Sequence, residues 1–318
     1  MTTVLVTAHF GEAEVAELAA AFPEVRFVSL PKSGEVPDGA SDATVLFRCT
    51  MSKPELQTTL AGAPDLRWIH TCTAGFDQLM VPEITERNLL VSRSAASHHI
   101  PIAEWVLTYI LLMTKRFPEL LRNQAAHRWD RIELPELGGK TVGIVGAGAI
   151  GTQVAQRCVP LGMRVIGTKR SPEPLPLFDE VLAPEQLPRL LAESDYVVLA
   201  CPLTTETRGM IGADQLALMK PTAYLLNIAR GALIDTDALV AALGSGQIAG
   251  ACLDAFTTEP LPADSPLWDV EGLVITPHAS SSSSEVMGRA RQEFMANLRR
   301  FLAGEPVANQ LREPALGY

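Results

Sequence analysis

Apolar residues recur along this chain in two rhythms. Short runs such as "TVLVTAHF", "VRFVSL", "ATVLFRC", "LRWIHTC" and "LLVSRS" are rich in β-branched residues and bounded by Pro, Gly or Asp, which predicts strands. Between the first two, "EAEVAELAAAF" carries its apolar positions at helical spacing. Strand and helix in alternation predict a parallel sheet covered by helices. The stretch "IPIAEWVLTYILLMTKRFPELLRNQ" then predicts a long helix packed between two domains. Pro101 suits its first turn, and Pro118 either kinks it or splits it in two.

From Lys140 a second alternating series begins. "KTVGIVGAG", "MRVIGTKR", "SDYVVLACP", "AYLLNIAR", "GACLDAF" and "LVITPH" read as strands, nearly continuous in apolar character, as a sheet buried on both faces requires. "IGTQVAQRCVPLG" reads as a helix, and "SSEVMGRARQEFMANLRRFLAG" as a last helix that returns to the first domain. The expected fold class is α/β, with two Rossmann-like domains, each a parallel sheet flanked by helices. Residues 1–100 with 286–318 would form one domain, and residues 101–285 a dinucleotide-binding domain.

Composition narrows the class. A length of 318 residues with 47% hydrophobic positions allows two domains, each with its own core. The net charge of -10 argues against nucleic acid as a partner, because a phosphate-binding surface needs excess Lys and Arg. No apolar run has the length of a membrane span, and "MTTVLVTAHF" reads as a first strand rather than a signal peptide. Cys49, Cys72, Cys158, Cys201 and Cys252 are scattered and odd in number, so neither a disulfide framework nor a zinc site is expected. Small core residues in a reducing cytoplasm are the expectation, with no metal requirement.

Candidate chemistry begins with "VGIVGAGAIG". Gly146, Gly148 and Gly151 follow a strand and open a helix, the context in which G-x-G-x-x-G holds a pyrophosphate. Ala149 and Ile150 would begin that helix and direct backbone N–H groups at the anion. An acidic residue for the ribose hydroxyls is expected about twenty positions on. Thr168, Lys169, Arg170 and Ser171 stand there instead. Two cations and two hydroxyls suit a 2′-phosphate, which favours NADP(H) over NAD(H); a solvated basic turn is the plainer alternative.

Three polar residues, Arg230, Glu259 and His278, fall at or after the ends of later strands, where ligands collect in an open α/β sheet. Histidine can hold a proton for a carbonyl oxygen, a neighbouring carboxylate would favour its imidazolium, and Arg can grip a carboxylate bidentately. Arg48, in what reads as a first-domain loop, offers a second cation for the substrate. Trp129 and His127 either reach a neighbouring subunit's site or simply pack, and His98 and His99 read as solvated histidines or a pH-sensitive pair.

With these residues placed, the chain resembles the D-isomer-specific 2-hydroxyacid dehydrogenases over nearly its whole length. The matching segments are "TAGFD", "GIVGAGAIG", "CPLTTETRGMIG", "LLNIARGALIDTDAL", "ACLDAFTTEPLPADSPLW" and "ITPH". The resemblance implies hydride transfer between NAD(P)H and a small 2-keto acid or D-2-hydroxy acid, in a cleft between a flavodoxin-like substrate domain and the dinucleotide domain. It implies His278 as acid/base, Glu259 as its support and Arg230 as the grip on the keto acid. Ala74 and Gly75 would offer backbone N–H groups to the substrate carboxylate. Cys201 and Pro202 would flank the adenosine side of the cofactor, with Ile228 and Asp254 on the nicotinamide side. A homodimer is implied as well. The run "HASSSSS" departs from the family, which commonly has a Gly soon after the histidine. Some relatives are corepressors, so a nucleotide-sensing binding protein is the competing class, and an unusual member oxidising formate or phosphite a third.

Overall fold

The computed structural model describes residues 1–73, 75, 79 and 81–311. They divide into two units, Met1–His98 with the chain from Ser283 onward, and His99–Ser282.

In the first unit, β1 (Thr2–Val6), β2 (Val25–Ser29), β3 (Val45–Arg48), β4 (Trp68–Thr71) and β5 (Leu90–Arg93) form one sheet in the order β2-β1-β3-β4-β5. Every pairing is parallel. Helices α1 (Glu12–Ala21), α2 (Lys53–Gly62), α3 (Pro82–Glu86) and the last helix of the chain, α10 (Val286–Leu302), accompany it. Alternation along each strand divides the apolar side chains between two faces. Leu5, Leu46, Ile69 and Val91 join Leu56 and Leu60 of α2 in one cluster. Val4, Val45, Phe47 and Trp68 join Ala290, Phe294 and Leu298 of α10 in the other. Phe294 stacks on Phe47 at 4.0 Å and on Trp68 at 5.6 Å between ring centroids.

His70 lies fully buried in this core. Its Nδ1 meets Ser92 Oγ at 2.7 Å and its Nε2 meets Ser94 Oγ at 2.9 Å, so both ring nitrogens have partners. Burial pushes its pKa down to about 3, and the ring is neutral at physiological pH.

Cys49 and Cys72 form a disulfide, contrary to the expectation from sequence. The cause is register: Arg48 is paired with Thr71 across β3 and β4, so the next residue on each strand is also a neighbour, with Cα atoms 5.1 Å apart. A sequence separation of 23 carries no trace of this proximity. Cys158, Cys201 and Cys252 are free thiols, the first and last of them buried.

The second unit holds β6 (Thr141–Val145), β7 (Arg164–Thr168), β8 (Glu180–Leu182), β9 (Tyr196–Leu199), β10 (Tyr224–Asn227), β11 (Gly250–Leu253) and β12 (Leu273–Ile275). They pair in parallel in the order β12-β11-β10-β9-β6-β7-β8. Strand β8, three residues long, is too short to show a period and was not expected from the sequence. Between β6 and β9 the direction of winding reverses, and that switch point is where open α/β sheets bind ligands.

Helices α4 (His99–Thr114), α5 (Phe117–Ala125), α6 (Ala149–Cys158), α7 (Leu187–Glu193), α8 (Ala213–Leu218) and α9 (Thr236–Gly244) complete this unit. The long helix read from the sequence is two helices. Pro118 removes the donor that would reach the carbonyl of Thr114, where α4 ends, and Arg116 turns the chain at φ 48°. Ile102, Val106 and Ile110 of α4 pack with Val154 and Cys158 of α6, within the second unit. Among the described residues, no helix is long and apolar enough to cross a membrane.

Candidate active site

The turn after β6 shows why each of its glycines is a glycine. Gly146 has φ 106°, and a Cβ there would lie 2.7 Å from the backbone nitrogen of Cys201. A Cβ on Gly151 would lie 2.5 Å from the Gly146 carbonyl oxygen and 2.9 Å from Ile144, so the third glycine lets α6 sit against β6. Gly148 is different: a Cβ there meets nothing within 4 Å. The space over Gly148 is open at the N-terminus of α6, where no side chain caps the helix. Ala149, Ile150 and Gly151 stand in the first turn, whose N–H groups have no acceptor within the helix. These residues fit a dinucleotide pyrophosphate.

Beyond the turn, Thr168 ends β7 and is buried, its Oγ1 accepting from Gly146 N–H at 3.3 Å while its carbonyl accepts from Ala147 N–H at 2.8 Å. Thr168 therefore braces the glycine turn. The ammonium of Lys169 pairs with Glu173, while Arg170 and Ser171 are exposed. Hydrogen bonds from Thr204 and its own backbone N–H hold the carboxyl of Glu206 below its usual range, and the charge of Arg170 adds to this. The residues thus present a basic turn edged by two carboxylates. Cys201 sits half-buried with its thiol 3.8 Å from Met210 Sδ, and burial pushes that thiol up to about 11. The Pro202 carbonyl accepts from Thr207 Oγ1 at 2.8 Å.

At the other end of the same sheet edge, Glu259 and His278 come together. His278 Nδ1 lies 2.8 Å from Glu259 Oε2, and Glu259 Oε1 accepts from Phe256 N–H at 2.8 Å. The carboxylate is thus held by backbone on one oxygen and meets the imidazole with the other. His278 has φ 52°, and its loop is clamped by Asp254. The Asp254 carboxylate, 1% exposed, accepts from Thr276 Oγ1 at 2.5 Å, Ala279 N–H at 2.8 Å and Ser280 N–H at 2.9 Å. Tyr109 of α4 donates to Thr276 at 3.1 Å and extends the brace. Asp254 is therefore anchored to the loop on both sides of His278, a role that the sequence, which set it on the nicotinamide side of the cofactor, did not show. Ile228 is likewise a core residue, 6% exposed and packed with Val198 and Leu226.

Arg230 follows β10, half-buried, with Nη1 donating to the Ala229 carbonyl at 2.8 Å and its own carbonyl accepting from Asn227 Nδ2 at 2.9 Å. Gly231, the next residue, packs backbone against backbone. A Cβ there would lie 2.2 Å from the carbonyl carbon of Phe256, so only glycine lets this backbone press against the segment leading to Glu259.

In the first unit, Gly75 follows β4, and Thr73 Oγ1 donates to its carbonyl at 2.7 Å. Ala74 lies outside the described residues. Arg48 is not in a loop: it is the last residue of β3, 1% exposed, donating through Nη1 to Thr71 Oγ1 at 3.1 Å and through Nη2 to the Met51 carbonyl at 2.5 Å. Both faces of β3 are covered, and alternation puts Arg48 on the face of Leu46. Burial pushes its pKa down to about 10, with Glu55 acting the other way, and it remains a cation at neutral pH. His98 is half-buried rather than solvated, its Nε2–H donating to the Cys72 carbonyl at 2.6 Å. His127 and Trp129 are exposed, Trp129 to 91%. Among the described residues, no group of three or more His, Cys, Asp or Glu side chains is arranged to hold a metal ion.

Known proteins share this arrangement of chain and fold. A family model described as D-isomer specific 2-hydroxyacid dehydrogenase, NAD binding domain, matches residues 107–280. A glyoxylate reductase from Thermofilum pendens is 37% identical over 260 residues, covering 76% of this chain and 74% of its own. Among solved structures, a D-isomer specific 2-hydroxyacid dehydrogenase from Xanthobacter autotrophicus Py2, in complex with NADPH and MES, superposes with a TM-score of 0.88 at 32% identity, covering 100% of this chain and 99% of its own. An NADPH-dependent glyoxylate/hydroxypyruvate reductase from Sinorhizobium meliloti, in complex with NADP and sulfate, gives 0.87 at 26% identity, with 100% of each chain covered.

Proposed function

Since the chain belongs to the D-isomer specific 2-hydroxyacid dehydrogenase family and is an oxidoreductase moving a hydride between NAD(P)H and a 2-keto acid, we propose that it favours NADPH and a small substrate such as glyoxylate or hydroxypyruvate. The observation that carries the catalytic assignment is the pair of His278 and Glu259 at 2.8 Å. With Nδ1–H donated to the carboxylate, the imidazole keeps its other nitrogen, Nε2, for the substrate oxygen. Reduction of the keto acid takes one hydride at the carbonyl carbon, which a nicotinamide held by the glycine turn would supply, and one proton at the oxygen, which His278 would give from Nε2. Glu259 stabilises the imidazolium that holds this proton, and its second oxygen, tied to Phe256 N–H, keeps it in place. Arg230 polarises the carbonyl and orients the carboxylate. Within the first unit, the backbone N–H of Gly75 is our candidate receiver for a substrate carboxylate; Ala74, the other residue read in this role, lies outside the described residues.

The glycine turn and α6 hold the pyrophosphate, with Thr168 bracing the turn from beneath. Asp254 fixes the loop of His278 through Ala279 and Ser280. The preference for NADPH rests on Arg170, Lys169 and Ser171, since a dianionic 2′-phosphate outcompetes the single carboxylates of Glu173 and Glu206 beside them. Residues 1–98 with those from 283 onward serve the substrate, and residues 99–282 the nucleotide. A homodimer is part of the reading: Phe117 and Leu121 of α5 and Trp129 after it, at 50%, 56% and 91% exposure, are large apolar side chains that a second copy would cover.

An initial-rate panel of 2-keto acids with NADPH and NADH tests the whole reading. Glyoxylate or hydroxypyruvate with NADPH should give the highest kcat/KM. Arg170→Ala should erase most of the difference between the nucleotides, and His278→Ala should lose turnover while still binding nucleotide. Equal affinity of the parent protein for NADPH and NADH would remove the cofactor preference; near-normal turnover in His278→Ala would remove the catalytic assignment.

A further inference from the structure

Arg48 is an unusual residue to find inside a sheet. Its guanidinium is 1% exposed, and its Nε has no hydrogen-bond partner. The carboxylate whose charge it feels is Glu55, whose Oε2 already accepts from Ser52 N–H at 2.6 Å in the box that caps α2. Burying a cation with so little compensation opposes folding, so the residue calls for a role.

Its hydrogen bonds point in one direction. Arg48 can only donate, so Thr71 Oγ1 accepts from Nη1 at 3.1 Å. Thr73 Oγ1 donates to the Gly75 carbonyl at 2.7 Å, and its one proton is therefore committed. The contact of 2.8 Å between the two threonine hydroxyls must then be a donation from Thr71 to Thr73. Every side-chain proton in the series Arg48, Thr71, Thr73 points away from the guanidinium and toward Gly75, while the Thr73 backbone N–H donates back to Thr71 Oγ1 at 3.4 Å and ties the two residues together. Such a chain is polarised by the cation at its head and strengthens cooperatively. The disulfide of Cys49 and Cys72 ties together the residues that follow Arg48 and Thr71, so the base of the series is held on both strands.

We propose that Arg48 is a positioning residue for the substrate carboxylate: through Thr71 and Thr73 it fixes the turn at Gly75, and from within the sheet it supplies the positive charge that a carboxylate on that turn neutralises. The inference rests on the reading that this turn receives the carboxylate. It differs from a direct contact, because the guanidinium works through two hydroxyls and its field. Binding energy of this kind is present in ground state and transition state alike, so its loss appears in KM and not in kcat.

The test compares pyruvate with pyruvamide, which has the same carbonyl and no charge, using the full-length enzyme and NADPH. In Arg48→Met and in Thr71→Val, KM for pyruvate should rise about tenfold, as expected for one charge-assisted hydrogen bond, with kcat within about twofold. KM for pyruvamide and the Kd for NADPH should not move. Arg48→Lys, which keeps the charge and loses the two-pronged donation, should recover part of the loss. An equal rise in KM for both substrates would mean a merely structural role and would overturn the proposal. Should Arg48→Met not fold, Thr71→Val decides: an unchanged KM for pyruvate rejects the relay. Gly75→Pro, which deletes the N–H itself, separates the two levels. If it raises KM for pyruvate while Arg48→Met and Thr71→Val do not, the turn stands and the Arg48 proposal fails; if none of them does, the reading of the turn fails with it.

Discussion

Acidification should weaken the first unit through a single side chain. His70 is fully buried, and burial holds its pKa near 3 in the folded protein against 6.5 for the free side chain. Between those values the unfolded chain binds a proton that the folded one refuses, so stability falls as pH falls from 6.5 toward 3 and is unaffected above that window. At pH 5 the unfolded state gains a factor of about 33 from this proton while the folded state gains almost nothing, and RT ln 33 is about 2 kcal/mol. Urea unfolding of the parent and of His70→Gln at pH 8 and pH 5, followed by tryptophan fluorescence, to which Trp68 contributes, measures this. Trp68 Nε1 shares the Ser92 hydroxyl with His70, which places the reporter beside the titrating ring. Gln keeps a donor and an acceptor toward the serines but does not titrate. The parent should lose about 2 kcal/mol more than the variant on going to pH 5. His98, also shifted down by burial, is present in both proteins and cancels. Identical pH dependence in the two proteins would refute the argument, because the core would then be accepting the proton or admitting water.

Other outcomes follow from the same geometry. Gly148→Ala, at a position with no atom within 4 Å of the new Cβ, should leave the melting temperature nearly unchanged and weaken nucleotide binding at least tenfold by isothermal titration. Gly151→Ala, which sets a Cβ 2.5 Å from the Gly146 carbonyl oxygen, should lower the melting temperature instead, by an amount equivalent to about 1–3 kcal/mol. Glu259→Gln keeps an acceptor for Phe256 N–H but loses the charge beside His278; with both side chains more than a third exposed, about 1 kcal/mol is at stake, so kcat for reduction should fall roughly five- to tenfold with the NADPH Kd unchanged. Thiol titration in denaturant without reductant should find three reactive cysteines, Cys158, Cys201 and Cys252, and five after reduction; five in both would remove the disulfide.

What the chain disclosed in advance was local. The strands of both sheets other than β8 were legible because each is a short apolar run between breakers, and the glycine turn because strand, glycines and helix follow one another directly. Pro118 marked the break in the long helix to within a few residues. Features that depend on which strands lie side by side were not legible. Arg48 read as a loop cation because nothing in "LFRCTMS" says that β4 covers it, and the partner of Cys49 is decided by the same pairing. The bracing role of Asp254 was not legible either, because its three donors come from residues 22 to 26 positions further along, on a loop whose return path only the fold defines. A buried carboxylate followed by a serine-rich run was the available signal, and it has meaning only once β11 and β12 are neighbours.

The stack of Phe294 on Phe47 and Trp68 has a temporal side. The aromatic plate that closes one face of the first sheet comes from α10, 226 positions after Trp68. A ribosome adding about 5–20 residues per second reaches Phe294 roughly 10–45 s after Trp68. Through that interval the sheet of the first unit stands with Phe47 and Trp68 uncovered, while the whole sequence of the second unit emerges and can fold. The first unit, whose strands precede the second unit in the sequence, is therefore completed only after the second has been made, and newly made chains should depend on chaperone cover most strongly before α10 arrives.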